Sequence, residues 1–213
     1  AYLSISGKDM FMPHHLLYSF LGFLFVKAFS FTGISAIKIL QMTNVLFACG
    51  SLLVIRRMFK RIHKEEPLIC SAILFCGSCF GFLRFATDNE CYIVPLFFTL
   101  LTLYYMQTFL IENKMSRIIK MSICLVVGCL FHQIVIISWL CVFVVLCFNK
   151  RKKYIITFLL LSLIVPITYY AFSIIINDSF SLVILKDFVL NDYEKGYAQT
   201  PIIQQVIILG GVN

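Results

Sequence analysis

The most constraining feature of this sequence is a series of long apolar runs, separated by short clusters of Lys and Arg. Apolar stretches fill residues 34–56, 67–84, 90–111, 118–149 and 154–176. Each is about long enough to cross the ~30 Å hydrocarbon core of a bilayer as a helix. Within lipid the backbone must satisfy its own hydrogen bonds, which leaves helices or closed barrels. A barrel would show short alternating segments, and none is visible. The expected fold is therefore all-α, a polytopic transmembrane helical bundle. Composition agrees: 61% of the residues are hydrophobic and 13% are charged, against about half and about a quarter in soluble domains. The whole chain, 1–213, reads as a single transmembrane domain. It starts at Ala1 and reaches a further apolar run at Pro201, and is expected to be a fragment.

The net charge of +8 does not point to nucleic acid. The cations gather at Arg56, Arg57, Lys60, Arg61 and Lys64, at Lys114, Arg117 and Lys120, and at Lys150, Arg151, Lys152 and Lys153. This is how cytoplasmic loops read. With those three clusters inside, 34–56 runs inward, 67–84 outward and 90–111 inward. Residues 118–149 are too long for one ordinary helix and carry His132 and Gln133 near the middle. A hairpin of two short crossings fits them, its tip outside. Segment 154–176 then leads outward to an external loop, 177–200, and 201–213 begins a further span. The short apolar stretch 14–30 either crosses or lies along the surface with both ends outside. Most of the nine cysteines lie in apolar runs, where Cys acts as a small hydrophobe. Cys76 and Cys79 have the C-x-x-C spacing without a second pair, and a mid-helix packing role is expected for them.

Polar chemistry is thereby concentrated on the outer face. Arg84 and Asp88 are four residues apart and can pair on a helix. Asp88, Asn89 and Glu90 open the next span, where they would cap it and complement its dipole. A functional alternative has Arg84 gripping a phosphate through its planar fork while an acid orients a hydroxyl. His132 and Gln133 need partners in an apolar hairpin; they either tie off the tip or touch substrate. Pro13 suits a first helical turn, with His14, His15 and Tyr18 at its start. Adjacent histidines point in different directions on a helix, so spacing gives no metal centre there.

Read in order, these elements resemble a known group. "PHHLLY" opens an amphipathic helix, and a long span ends in "RRMFKR". A helix then runs into "RFATDNECYIVPLFFTLLTLYY", and the hairpin carries "HQ". Over residues 9–148 the chain resembles the multi-spanning glycosyltransferases of the GT-C fold, which include protein mannosyltransferases and aminoarabinose transferases. His14-His15-Leu16 stands where that group usually has His-Pro-Pro. The resemblance implies that 14–30 is a juxtamembrane helix with both ends outside. It implies sugar transfer from a polyprenyl-phosphate donor to an acceptor glycan, lipid or protein on the external face.

In this chemistry a carboxylate takes or orients the acceptor proton, and cationic or hydrogen-bonding groups stabilise the departing phosphate. Asp9, Asp88 and Glu90 are the catalytic candidates. His14, His15, Tyr18, Arg84, Asn89, His132 and Gln133 are the substrate-binding candidates. The first external loop of the group usually holds an acidic base; Asp9 is the one available, and the more typical acid is expected upstream of Ala1. No cofactor is indicated, although a divalent metal is compatible with the reaction. The partners expected are the lipid bilayer and the lipid-linked sugar, in a multi-pass protein of a bacterial inner or plasma membrane. Competing expectations are an envelope polysaccharide polymerase-type membrane protein, a transporter and a structural membrane subunit.

Overall fold

The computed structural model describes residues 10–149, 151–178 and 180–194, with side chains left undescribed at Asn149 and 191–194. Its regular structure is helical, with no strand among the described residues. A 3-10 turn at Pro13–His15 leads into α1 (Tyr18–Ala28). Then come α2 (Ala36–Phe59), α3 (Glu66–Ser78), α4 (Phe80–Thr87) and α5 (Ile93–Glu112). α6 (Met115–Phe131), a 3-10 turn at Gln133–Val135 and α7 (Ile136–Asn149) follow. α8 (Lys152–Ser162), α9 (Ile164–Asn177) and α10 (Leu182–Glu194) complete the order.

Three helical stretches, Ala36–Phe59, Ile93–Glu112 and Lys152–Asn177, are long and apolar enough to cross a membrane, or four if the bent pair α3–α4 counts as one. These lengths are compatible with a membrane protein. So is the outward display of large apolar side chains: Leu74, Phe75, Phe80 and Phe148 are all more than 70% exposed. α1 has 11 residues, about 16 Å of helix, which is too short to span.

The apolar stretch 67–84 is not one straight helix. It bends by 63° between α3 and α4, where Cys79 adopts an extended ψ of 129°. Gly77-Ser78 precedes the break, and Ser78 Oγ and Cys79 Sγ both donate to Phe75 O at 3.2 Å. A Gly-Ser pair together with side chains competing for helix carbonyls is a recognised cause of kinking. Cys79 thus sits at the break rather than mid-helix, and all nine cysteines are free thiols.

The described residues fall into two compact units, divided after Pro166. In the first, α5 and α6 pack along their lengths, α2 lies against α5, and α8 lies against α6. Close approach is permitted by glycine: a Cβ on Gly50 would come within 2.8 Å of the Phe97 ring. Buried Thr43, Ser51, Thr102, Thr108 and Ser122 each return a hydroxyl hydrogen bond to the carbonyl four residues back. One apolar cluster includes Phe109, Met121, Leu125, Tyr154 and Phe158. A second gathers Tyr18, Ala48, Ala86, Ile93, Val94 and Phe131 from five helices.

The basic turns meet at one end of the α5–α6 pair. Arg61 donates to Thr108 Oγ1 at 2.5 Å and to the Tyr104 hydroxyl at 3.0 Å. Arg117 forms a two-pronged pair with Glu112 at 3.1 and 3.0 Å. Tyr154 donates to Asn113 O at 2.7 Å. Asn113 itself holds a left-handed φ of 53°, which ends α5 and lets α6 begin. In the second unit, the Tyr169 and Phe188 rings are 6.5 Å apart and Tyr170 donates to Phe180 O at 3.3 Å.

Candidate functional site

The opposite end of the α5–α6 pair gathers most of the predicted polar residues. The gathering starts from backbone groups that helices leave unpaired. α6 stops at Phe131, so the last carbonyls of its final turn need partners. Leu17 N–H donates to Leu130 O at 3.0 Å, and His132 N–H to Gly128 O at 3.0 Å. The first of these bonds docks the turn before α1 directly onto the end of α6. Gly128 lets the chain fold back at the break: a Cβ there would meet Val135 at 3.2 Å and Phe98 at 3.3 Å.

Side chains extend this join. Gln133 Oε1 accepts from the His14 ring Nδ1 at 3.0 Å, and Gln133 Nε2 donates to Pro13 O at 3.1 Å. The His15 and His132 rings lie 5.8 Å apart, and the Tyr92 ring lies 5.1 Å from His132. Cys91 Sγ approaches His15 Nδ1 at 3.9 Å. His132 Nδ1 accepts from Ile134 N–H at 3.2 Å, so the ring also caps the short turn that follows it.

Asn44, fully buried in α2, holds the segment between α4 and α5. Its Nδ2 donates to Asp88 O and to Glu90 O, each at 2.8 Å. Tyr18 donates to Glu90 O at 3.1 Å and lies 3.4 Å from Asn44 Oδ1. Two carbonyls of a non-helical stretch are thus satisfied by side chains from α1 and α2, as buried backbone acceptors require. The consequence corrects one sequence expectation. Asp88, Asn89 and Glu90 do not cap the next helix: α5 starts at Ile93 with Tyr92 at its N-cap and no side-chain cap. Asp88 instead ends α4, in extended geometry. The Arg84–Asp88 pair is present at 3.5 Å, with both side chains more than half exposed. Asn89 Oδ1 is buried without a hydrogen-bond partner among the described residues.

Burial shapes the electrostatics. Burial pushes the Tyr18 hydroxyl up to about 12, partly offset by its hydrogen bond to Asn44 and reinforced by Cys91 and Glu90, so it remains a donor. Burial, reinforced by Glu90, pushes the Cys91 thiol up to about 11. His132 is pushed down to about 4 by burial and by the nearby His15 and His14, which keeps it neutral at pH 7. Beside this cluster lies a cleft of about 240 Å³, bordered by Phe85, Tyr92, Pro95, Leu96, Ile134 and Ser138.

His14, His15, Tyr18, Glu90, His132 and Gln133 are therefore joined in one network, with Arg84, Asp88 and Asn89 on the same connecting segment. Asp9 lies outside the described residues. The expected external loop 177–200 is described at 177–178 and 180–194, where Leu182–Glu194 is helical rather than loop; residues 179 and 195–200 and the run after Pro201 lie outside the described residues. Asn44, Cys91 and Tyr92, which touches His132, were missed from sequence. Asn44 carried a signal, an amide inside an apolar helix. Cys91 carried little, since a thiol next to an apolar run reads as packing. Comparison of the chain with protein-family models, curated proteins and solved structures finds no match.

Proposed function

We propose that the chain belongs to a multi-pass membrane glycosyltransferase of GT-C type, which moves a sugar from a polyprenyl-phosphate donor to an acceptor at the external face of a bacterial inner or plasma membrane. The observation that supports this reading best is the convergence of His14, His15, Tyr18, Glu90, His132 and Gln133 at one end of the α5–α6 pair. The Lys- and Arg-rich turns sit at the other end. Under the positive-inside rule the first group is external and the second cytoplasmic. A lipid-linked donor suits a site at the rim of apolar helices.

The acceptor hydroxyl attacks the anomeric carbon, and the lipid phosphate leaves with the bonding electrons. Glu90 or Asp88 takes the hydroxyl proton. Glu90 is the better placed, because Asn44 and Tyr18 fix its carbonyl and hence its backbone. Arg84, exposed on the last turn of α4, can exchange Asp88 for a phosphate oxygen. Neutral His132 donates a hydrogen bond to the leaving group rather than a charge.

One observation bears on the transporter reading. The α3–α4 break resembles the interrupted helices of transporters, but Phe75, Cys79 and Phe80 around it are exposed, and none of them borders the cleft beside Tyr92. Broken helices that bind cargo line a cavity. The test is transfer from a labelled polyprenyl-phosphate sugar by the full-length protein in membranes. Glu90→Ala should cut transfer about 100-fold or more, with Arg84→Ala and His132→Ala also impaired. Normal transfer by all three folded variants would reject the assignment.

A further inference from the structure

Three donor atoms converge at the heart of the network: one nitrogen each from His15 and His132, and Cys91 Sγ, all within 4.8 Å of one another. They arrive from three separate places, the 3-10 turn before α1, the segment between α4 and α5, and the end of α6. Sequence spacing could not reveal them, because only His14 and His15 are neighbours along the chain. We propose that His15, Cys91 and His132, the ligand set found among the described residues, bind a thiophilic divalent cation of the zinc class.

The geometry suits such an ion. With all mutual separations at or below 4.8 Å, a point exists no farther than about 2.8 Å from every donor. Zinc takes nitrogen at about 2.0 Å and thiolate sulfur at about 2.3 Å, so side-chain rotations of roughly half an ångström or a little more complete the site. The Cys91–His15 edge, at 3.9 Å, is already near the donor spacing of a tetrahedral site. On His132 the 3.2 Å hydrogen bond from Ile134 N–H to Nδ1 competes with coordination through that nitrogen. Coordination releases the Cys91 thiol proton to solvent.

Two imidazoles and a thiol select against Mg²⁺ and Ca²⁺, which prefer oxygen donors. The site is thus distinct from any metal that a sugar phosphate would bring, and it does not depend on the transferase reading. Its position gives it a structural consequence. A bound ion would pin the α1 turn, the Asp88–Tyr92 segment and the α6–α7 break to each other, adding to the clamp made by Asn44 and Gln133.

The experiment titrates Co²⁺, as a coloured substitute for Zn²⁺, into the reduced full-length protein in detergent. The expected result is a thiolate-to-cobalt charge-transfer band that saturates at one equivalent and disappears on adding Zn²⁺. Cys91→Ser should abolish the band, and His132→Asn should weaken apparent affinity at least about tenfold. His63→Gln and Cys79→Ser, away from the cluster, should leave it unchanged. No band in the unaltered protein, or a band that survives Cys91→Ser, would overturn the proposal. Should Cys91→Ser fail to fold, thiol alkylation of the unaltered protein decides: Zn²⁺ should protect Cys91 but not Cys79, and equal labelling of Cys91 with and without Zn²⁺ would equally overturn it.

Discussion

The two ends of the α5–α6 pair use opposite physical means to hold chain segments together. At the basic end charged side chains make the connections: Arg61 holds Thr108 and Tyr104, Arg56 and Lys60 pair with Glu66 on exposed side chains, and Arg117 pairs with half-buried Glu112. The exposed pairs are screened by water and salt and contribute little to stability. At the other end the connections are hydrogen bonds among buried and half-buried groups: Asn44 and Tyr18 on two carbonyls, Gln133 on His14 and on Pro13 O. Removing one partner there leaves a buried group unsatisfied, which costs more than the bond itself contributes. The lesson is that cations mark the turns between apolar helices, whereas buried amides and rings fix geometry. The fixed end is where a reaction or a metal ion could be accommodated.

Substitutions can break or sharpen this contrast. The largest effect is expected for Asn44→Ala, which strips two carbonyls of their donor. About 2–4 kcal/mol should be lost, read as a fall of roughly 5–15 °C in the thermal midpoint of the detergent-solubilised protein. A midpoint within a degree of the unaltered protein would show that the clamp is dispensable. Next is Gly128→Leu, whose side chain must displace Val135 or Phe98. A loss of about 1–3 kcal/mol is expected, with increased proteolysis at the α6–α7 break. Tyr18→Phe keeps the ring and removes one donor from Glu90 O, so about 1 kcal/mol should go. The smallest effect belongs to the basic end. Glu66→Gln should leave the midpoint unmoved in physiological salt; a clear drop would mean that the exposed pairs matter after all.

Much of the architecture was legible because hydropathy runs and charge clusters are local signals. The spans at 34–56 and 90–111 correspond closely to α2 and α5, and the Arg84–Asp88 pair follows directly from four-residue helical spacing. The break at His132 was legible too, since two polar residues interrupt an otherwise apolar segment. What escaped was non-local. Cys91 gains meaning only when α1 delivers His15 beside it. The role of Asn44 depends on carbonyls more than forty residues away. Helix capping by Asp88–Glu90 was a sound local expectation, but Asn44 and Tyr18 captured that segment's carbonyls, and the helix began later. The α3–α4 bend was hidden for the same kind of reason: Gly77-Ser78 is tolerated in many straight helices, and only its hydrogen bonding to Phe75 O shows that it yields here.

The central claim is that the histidine-rich network faces the external aqueous phase while the basic turns face the cytoplasm. The most direct measurement places a new thiol at each end, Ile134→Cys and Lys64→Cys, and treats sealed, right-side-out vesicles with a membrane-impermeant maleimide, followed by peptide mapping. The account predicts labelling at position 134 in intact vesicles and at position 64 after permeabilisation alone. Labelling of both positions in intact vesicles, or of position 64 alone, would contradict it.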